Sequence, residues 1–380
     1  MKFVKVPYRY TFSNNPIAFT LNTESGAINK VNIAVTVAGS TFSLSAYATS
    51  TRRVEFEISD LLKPFVNRLS ESGKSVIVHD DLFLSYTVIV TASTSLPVVY
   101  VGKVLLGGIS KEYILYYKRM NTNVFTEKFL NEYNNFLFST RTSKQTIDLY
   151  REELGNIFFL TPSAENIVVK SGSNQLLLGT SSKAVPVSVN LRRLSETWKA
   201  DDIHIMIGGY SRIHFRISDH EGEEKYVLKF RNSFGVFERL LVTSVAYSSS
   251  EFDNESANYN EYDSDLSDYR KSRRRVSSNK FIEVETGYKS TDNLFFIDDL
   301  LASDEIYFID KGKVTQKCLV TAEGNKKRLI QREPEKLSLK IELVDSDSNF
   351  SPDMGDSRRR YLADNFGIPI VNNNKNISSN

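Results

Sequence analysis

The stretch LKFRNSFGVFERLLV, residues 228–242, reads as two strands around a short connection. Apolar residues alternate with polar ones up to Phe230, and a second apolar run begins at Phe237. The connection, Asn-Ser-Phe-Gly, is typical of a turn because Asn and Gly tolerate a positive φ. A turn has no need of the large apolar side chain of Phe234. We expect Phe234 either to fold back over its own sheet or to anchor a neighbouring subunit from an exposed loop tip.

Alternation at period two recurs along most of the chain. It is clear in KVNIAVTVAG (residues 30–39), in STFSLSAYAT (40–49) and in strand-like runs after residue 156. The aromatic content of 12% also favours strands. Short strands separated by turn residues are typical of sandwiches and small barrels. We therefore expect a mainly β protein of antiparallel β-sandwiches, in several domains because 380 residues exceed one ordinary core.

Changes of pattern divide the chain into four parts. A short helical segment is expected between the sandwiches, because aromatic residues recur at spacings of four, four and three from Phe125 to Phe136. The run SKQTIDLYREEL, which begins at Ser143, predicts a second short helix with that serine as its N-cap. The expected parts are an N-terminal β-sandwich (1–105), a helical connector (106–155), one or more C-terminal β domains (156–345) and a C-terminal arm (346–380).

Residues 248–280 interrupt the second β part with an acidic polar run that ends in a basic one. Such a composition buries too little apolar surface to fold alone, so we expect a long hairpin loop or a mobile insertion. A nucleic-acid site at its arginines is disfavoured because the acidic run beside them would compete with phosphate. The net charge of +2 gives no long-range field for nucleic acid either.

Two similar heptapeptides predict that the same strand-to-corner structure occurs at two places in the chain. FEISDLL (residues 56–62) and FFIDDLL (295–301) each read as a strand that runs into an Asp-Leu-Leu corner. Asp60 and Asp299 are expected to cap the turn that follows.

Histidines give the only metal-site pattern, and it is weak. His204 and His214 lie in the strand-like runs DIHIMI and RIHFRI, with Asp201, Asp202 and Asp219 nearby in sequence. They are either ligands or ordinary sheet residues. We expect ordinary sheet residues, since no close ligand pair on a helix is present.

Signatures of catalysis are missing from the sequence. SGKS (residues 72–75) resembles the end of a phosphate-binding loop, but Arg68 stands where its first Gly belongs and a strand follows instead of a helix. No GxSxG elbow occurs, and the single Cys318 excludes an intramolecular disulfide framework. We expect no enzymatic activity, no cofactor and no metal.

Targeting signals are also missing. The opening MKFVKVPYRYTFSNN holds no apolar run that could act as a signal-peptide core, and no run of about 20 apolar residues could span a membrane. We expect a chain without a membrane span that is made and folded in the cytoplasm.

The opening motif carries a resemblance. FRNSFGVFERLLV (residues 230–242) resembles a strand–Asn–x–x–Gly–strand motif of virion structural proteins from phages and prophages of Bacteroidetes. The segment from Val284 to Thr321 is similar to one that often follows it there, with a strand, an Asp-Leu-Leu corner and a hairpin. The resemblance covers mainly residues 225–321. It implies a multidomain β protein of a phage tail or tail tip, non-enzymatic, made in the host cytoplasm and located in the virion.

Such a protein works by assembly, so its partners would be other virion proteins and further copies of itself in a ring. Loop tips, the insertion and the arm are the segments expected to contact neighbours. The expected interface residues are Asn232, Phe234, Gly235, Arg273, Arg274, Arg275, Tyr361 and Phe366.

An alternative remains open: a surface glycan-binding module or adhesin, with a host surface glycan as its ligand. β-Sandwiches bind glycans on exposed aromatic residues beside Asn and Asp. The candidate residues are Tyr247, Tyr259, Tyr262 and Tyr269.

Overall fold

The computed structural model describes residues 1–23, 30–93, 95–120, 122–179, 182–222, 225–242, 246–254, 259–265, 267–272, 276–287, 294–310, 314–322 and 336–344. Within these ranges it contains twenty-five strands and four α-helices, which confirms the mainly β fold class with antiparallel sheets. None of these helices is long and apolar enough to cross a membrane. The chain divides into two compact units, Met1–Ser249 with Phe281–Val344 and Ser250–Lys280 with Asp345–Asn380.

The first region of the larger unit is sandwich-like. Its elements are β1 (Lys2–Lys5), β2 (Tyr10–Phe12), β3 (Ala18–Asn22), β4 (Lys30–Val37), β5 (Ser40–Tyr47), β6 (Arg53–Glu57), α1 (Ser59–Leu62), a 3₁₀ turn (Lys63–Phe65), β7 (Val76–Val78), β8 (Leu84–Ala92) and β9 (Ser95–Leu105). The sheets β2-β9-β8-β4-β5 and β1-β3-β6 share one apolar core. In β4 every second side chain, from Val31 to Val37, enters that core, as period-two alternation predicts.

The second region has a core of its own. Its elements are α2 (Lys111–Arg119), a π-helical segment (Phe125–Phe129), β10 (Thr146–Tyr150), a 3₁₀ turn (Arg151–Glu153), β11 (Asn156–Leu160), β12 (Ile167–Ser171), β13 (Asn174–Leu177), β14 (Pro186–Asn190), α3 (Leu191–Trp198), β15 (Asp202–Ile207) and β16 (Tyr210–Ser218). They form a five-stranded sheet, β10-β16-β15-β12-β13, and a three-stranded one, β11-β14-β7. Strand β7 comes from the first region, so the two regions are interleaved. A shared apolar core lies between these sheets and α3.

The third region is one large sheet with a helix on it. Its elements are β17 (Tyr226–Arg231), β18 (Phe237–Val242), β19 (Tyr247–Asn254), β22 (Val276–Glu285), α4 (Leu294–Leu301), β23 (Ile306–Asp310), β24 (Val314–Ala322) and β25 (Ser338–Leu343). Between β19 and β22 the chain forms β20 (Tyr259–Asp263) and β21 (Asp268–Ser272), which make a two-stranded sheet of their own. The order is β18-β17-β23-β24-β25-β22-β19, and every pairing from β18 to β22 is antiparallel. Phe296 and Leu300 of α4 pack with Phe230 and other apolar side chains of the sheet.

The smaller unit is described only in part. Within it β20 and β21 pair as an antiparallel hairpin, in which Tyr262 lies opposite Tyr269. This agrees with the expectation of a hairpin in the insertion at 248–280. The three arginines at 273–275 and the C-terminal arm at 346–380 lie outside the described residues.

Of the two helices expected in the connector, the second is wrong and the first is shorter than expected. The run SKQTIDLYREEL holds strand β10, which pairs in parallel with β16 and turns Ile147 into the core, and Ser143 therefore caps no α-helix. The aromatic stripe from Phe125 is helical only to Phe129. The Asn-rich stretch after it bonds its own backbone, since Asn131 Oδ1 accepts from Tyr133 N at 3.0 Å.

One segment expected as a strand is a helix, and a second is a strand only in its first half. NLFFIDDLL holds α4, because Phe296, Ile297 and Leu300 are buried at helical spacing. The run after Pro186 leaves β14 at Asn190, whose Oδ1 accepts from Arg193 N at 3.0 Å and so begins α3.

The predicted N-cap at the first corner is also wrong. Asp60 lies inside α1, where its carboxylate pairs with Lys63 at 2.7 Å on the surface. It caps nothing.

A fourth apolar cluster, here called the junction core, draws on all three regions. Phe234 is 7% exposed, and its ring centroid lies 5.9 Å from that of Phe12 and 5.2 Å from that of Phe129. The buried members are Phe12, Leu69, Leu82, Leu105, Phe125, Phe129, Phe138, Phe158, Leu160, Phe234 and Val236. Phe234 thus folds into the core of its own chain, which it shares with the other regions as well as its own hairpin, and it is not an exposed loop tip.

Asn232 shapes the turn that carries Phe234. Its Oδ1 accepts from the backbone N–H of Phe234 (3.0 Å) and of Val236 (3.2 Å). Its Nδ2 donates to Phe138 O (2.8 Å) and to Glu238 Oε1 (2.7 Å). One buried amide therefore both closes the turn and binds it to the connector, which is how a buried polar side chain avoids an unpaired group.

Two glycines let the turn approach the end of the first sandwich. Gly235 has φ of 80°, and a Cβ there would lie 3.0 Å from the carbonyl oxygen of Leu106. Gly107 has φ of 119°, and a Cβ there would lie 2.6 Å from Ser233 O. Only glycine fits such positions without strain.

We expect Phe234→Ala to lower the free energy of unfolding by about 3–5 kcal/mol, because it empties a site lined by packed aromatic rings. Urea denaturation followed by circular dichroism measures the loss. Phe295→Ala is the matched control: Phe295 is 64% exposed, so its loss should change stability by only about 0.5 kcal/mol. Equal denaturation midpoints for the two variants would contradict the core position of Phe234.

Candidate functional site

A buried carboxylate on α4 holds the turn from the other side. Asp299 Oδ1 accepts from Ser233 N at 2.8 Å and from Ser233 Oγ, and its Oδ2 accepts from Thr140 Oγ1 at 2.7 Å. Burial raises the pKa of Asp299, while the hydrogen bonds from Ser233 and Thr140 lower it. The expected capping role is therefore wrong: Asp299 binds the hairpin turn and the connector to α4.

Three further charges lie beside this carboxylate. Arg141 Nη1 donates to both oxygens of Glu153 at 3.3 Å, and its Nε lies 4.0 Å from Glu238 Oε2. The guanidinium carbon of Arg141 is 4.2 Å from the ring centroid of Phe296. A cavity of about 50 Å³ has Arg141, Glu153 and Glu238 in its wall. Burial raises the pKa of Glu238 to about 7, although Arg141 and Asn232 lower it.

Lys128 covers the junction core with a charge. Its Nζ lies 5.5 Å from the ring centroid of Phe234 and 5.6 Å from that of Phe129, and it donates to Ser139 O at 3.2 Å. Burial lowers the pKa of Lys128 to about 8. Each of these charges has partners close by, so the loss of one partner would leave a charge buried without compensation.

Helix α2 presents an apolar face to solvent. Ser110 is its N-cap, with Oγ accepting from Tyr113 N at 3.4 Å, and none of its nine residues is buried. Tyr113, Tyr116 and Met120 are 48%, 58% and 63% exposed. With Tyr117 they recur at i, i+3, i+4 and i+7, which places them on one face. We call these four residues the α2 stripe.

The α2 stripe is absent from the sequence predictions above, although its spacing in KEYILYYKRM indicates an amphipathic helix. The aromatic run that begins at Phe125 has the clearer helical spacing and lies only a few residues further on. The sequence therefore predicts the helical segment of the connector there and not at residues 111–120.

A second apolar patch lies on the outer face of the first sandwich. Strand register places Val99 of β9, Ile89 of β8 and Ala34 of β4 in one row across the sheet. Val99 is 57% exposed, and Val101, two residues along the same face, is 59% exposed. We call Ala34, Ile89, Val99 and Val101 the sheet patch.

The histidines seen in the sequence do come together. His204 of β15 and His214 of β16 are direct cross-strand partners, and their rings stack with centroids 4.2 Å apart at 10°. His214 Nε2 lies 2.6 Å from Asp202 Oδ1, and His204 Nδ1 lies 2.8 Å from Ser211 Oγ. One ligand atom from each of Asp202, His204 and His214 lies within 4.8 Å of the others.

Partial burial and the neighbouring His214 lower the pKa of His204, against the opposing effect of Asp202. Imidazole in its neutral form is the form that binds metals. The other two aspartates named from the sequence are held elsewhere: Asp201 and Asp219 both pair with Arg151, at 2.6 and 2.7 Å.

Three of the eight predicted interface residues lie in the described part of the chain. Asn232, Phe234 and Gly235 form the buried turn, and contact with a neighbouring subunit at this turn stays a prediction. The others, Arg273, Arg274, Arg275, Tyr361 and Phe366, lie outside the described residues.

Of the tyrosines proposed for glycan contact, Tyr247 is 69% and Tyr262 is 56% exposed. Cys318 is buried on β24, and burial raises the pKa of its thiol to about 12, as expected of an unreactive structural cysteine.

No protein-family model and no curated protein match the chain. A solved chain from structural work on host cell surface retention of a 1.5-MDa bacterial ice-binding adhesin is similar over 75% of this chain and 90% of that one. The sequence identity is 7% and the TM-score is 0.15, so the likeness carries no argument about fold or function.

We expect Glu238→Gln to change how stability depends on pH. Because the folded-state pKa of Glu238 is about 7, above its unfolded value of 4.5, its contribution is present below pH 4.5 and is lost as pH rises to 7. Gln keeps the hydrogen bond from Asn232 and does not ionise. Urea denaturation at pH 5 and pH 8 should show the variant gaining up to about 3 kcal/mol on the wild type between them.

Glu55→Gln on β6 is the control for that experiment, because Glu55 is exposed. Its stability should follow the wild type at both pH values. Parallel pH curves for the wild type and Glu238→Gln would show that Glu238 does not titrate in the buried network.

Proposed function

We propose that the chain is a non-enzymatic structural component of a phage tail or tail tip, which assembles with other virion proteins and with copies of itself. The resemblance of residues 225–321 to virion structural proteins motivates the proposal. The α2 stripe is the observation that carries it, because Tyr113, Tyr116 and Met120 are exposed on one face of a surface helix, and an exposed apolar face marks a contact surface for a partner. The junction core supports it by binding the three regions into one body.

The α2 stripe has the composition of an interface. Tyr and Met are enriched in the cores of protein–protein interfaces. A helix of nine residues is marginal in water unless its apolar face is packed, and no residue of α2 is buried. Packing against a neighbour would supply the stabilisation that the described part of this chain does not.

The sheet patch of a second copy is the surface that receives the stripe. It is apolar, its residues Val99 and Val101 are exposed, and it lies on a five-stranded sheet. A contact between two different surfaces of identical subunits is heterologous, and such contacts generate rings when the rotation closes. A ring is the arrangement expected of a tail subunit.

Two variants test the contact. Tyr116→Ser damages the stripe and Val99→Ser damages the sheet patch, so each variant alone should be monomeric in sedimentation or light scattering where the wild type is oligomeric. Mixed together, they should form dimers only, because one intact stripe and one intact patch remain. Tyr210→Ser, which removes a tyrosine that is 68% exposed on another strand, should assemble as the wild type.

A variant pair that assembles normally, or a mixture that stays monomeric, would overturn the heterologous contact. The role itself is tested by quantitative mass spectrometry of phage-like particles induced from the source culture and banded on a density gradient. Peptides of this chain at a fixed ratio to a major tail protein are expected. Their absence from particles would refute the virion role.

A second candidate is a surface glycan-binding module or adhesin, favoured by the exposure of Tyr247 and Tyr262. Exposed aromatic faces are the usual platforms for sugar rings. The full chain on a glycan array should then bind a defined glycan, and Tyr262→Ala should weaken the binding. An array without binding would count against this candidate.

A further inference from the structure

We propose that Asp202, His204 and His214 form a surface site for a divalent transition-metal ion of the zinc type, on the outer face of the five-stranded sheet. Two imidazoles and one carboxylate are a common ligand set for zinc, and imidazole also suits nickel and copper. The site is independent of the proposed assembly surfaces.

The backbone brings the ligands together. Strands β15 and β16 are adjacent and lie between β12 and β10, so both ligand-bearing strands are hydrogen-bonded on each side. His204 and His214 face each other across the pair, and Asp202 is two residues from His204 on the same face. The opposite face of both strands, with Ile203 and Ile205, is buried in the core. Only side-chain rotation is needed to close the site.

The distances are within reach of that rotation. Ligand atoms at 2.0–2.2 Å from a tetrahedral ion are about 3.3 Å apart, and the three candidate atoms already lie within 4.8 Å. Asp202 Oδ1 and His214 Nε2 are hydrogen-bonded at 2.6 Å, and the proton between them passes to water when the ion binds to both atoms. Ion binding therefore replaces the hydrogen bond between Asp202 and His214 by a bond from each of these two atoms to the metal.

A second group orients His204. Its Nδ1 is hydrogen-bonded to Ser211 Oγ at 2.8 Å, which fixes the ring and leaves Nε2 as the ligand nitrogen. Metal-bound histidines usually have such a bond from their other nitrogen. Ser211 lies at the irregularity in the β15–β16 register, between Ile205 and Met206, so the sheet itself places it there.

The surrounding charges decide how tightly an ion binds. Arg216, which is opposite Asp202 on β16, donates from Nε and Nη2 to Asp148 at 2.6 and 2.8 Å. Both of these hydrogen bonds go to Asp148, although the charge of Arg216 also acts on Asp202. Lys170 of β12 is the cross-strand partner of His204, and its charge opposes a cation. Lys170 and Arg216 are thus the adverse charges, and they limit the affinity of the site for a cation.

The site leaves room for a ligand from outside the chain. Three protein ligands leave a fourth position open in a tetrahedral ion. The side chain of Asp202 is 64% exposed and that of His214 is 29% exposed, so the open position faces solvent.

Isothermal titration calorimetry of the full chain with zinc chloride at pH 7.5 tests the site. One ion per chain is expected, and His204→Ala, His214→Ala and Asp202→Asn should each weaken binding at least about tenfold. His220→Ala removes the histidine nearest in sequence that lies outside the cluster, and it should bind as the wild type. Circular dichroism verifies that each variant is folded.

Lys170→Gln separates a metal site from a structural role of the histidines. Removal of the adverse charge should tighten zinc binding about threefold or more, an effect that a purely structural cluster has no reason to show. Absence of saturable binding by the wild type, or equal affinity of the wild type and His214→Ala, would overturn the proposal. Either result is independent of whether the chain is found in phage particles.

Discussion

The structure depends on one buried turn. The amide oxygen of Asn232 closes the turn, and its amide nitrogen binds the turn to the connector. Asp299, on α4, accepts a hydrogen bond from the backbone N–H of Ser233 in the same turn. Buried polar groups must be paired, so these bonds form only when all three regions are in place. The same requirement explains Gly107 and Gly235, since the turn and the end of the first sandwich approach too closely for a side chain. Phe234 then fills the space that this approach encloses.

Aromatic residues serve opposite purposes in neighbouring segments of the connector. Phe125 and Phe129 enter the junction core, where burial of large rings stabilises the fold. Tyr113 and Tyr116, on the preceding helix α2, remain on the surface. The contrast between these buried rings and the exposed α2 stripe is what motivates the assembly contact proposed above.

The five-stranded sheet illustrates how register converts a sequence pattern into a site. Alternation sends Ile203 and Ile205 inward, and it necessarily sends His204 outward between them. Whether His204 meets His214 or a neutral residue depends on the pairing of β15 with β16. A shift of one residue would place an apolar side chain there instead. The sequence shows two histidines in strands, but only the pairing makes them a cluster.

The mainly β fold class and the turn at Asn232 can be read from the sequence, because period-two alternation and turn chemistry are local properties. Tertiary contacts determine the elements whose patterns are ambiguous over a few residues: the run after Ser143 forms strand β10, and the run that ends at Leu301 forms helix α4. Tertiary contacts also bury Phe234 and join Asp299 to a distant turn. Burial and long-range hydrogen bonds depend on which segments contact each other in the folded chain. A short stretch of sequence does not specify the distant segments that it will contact.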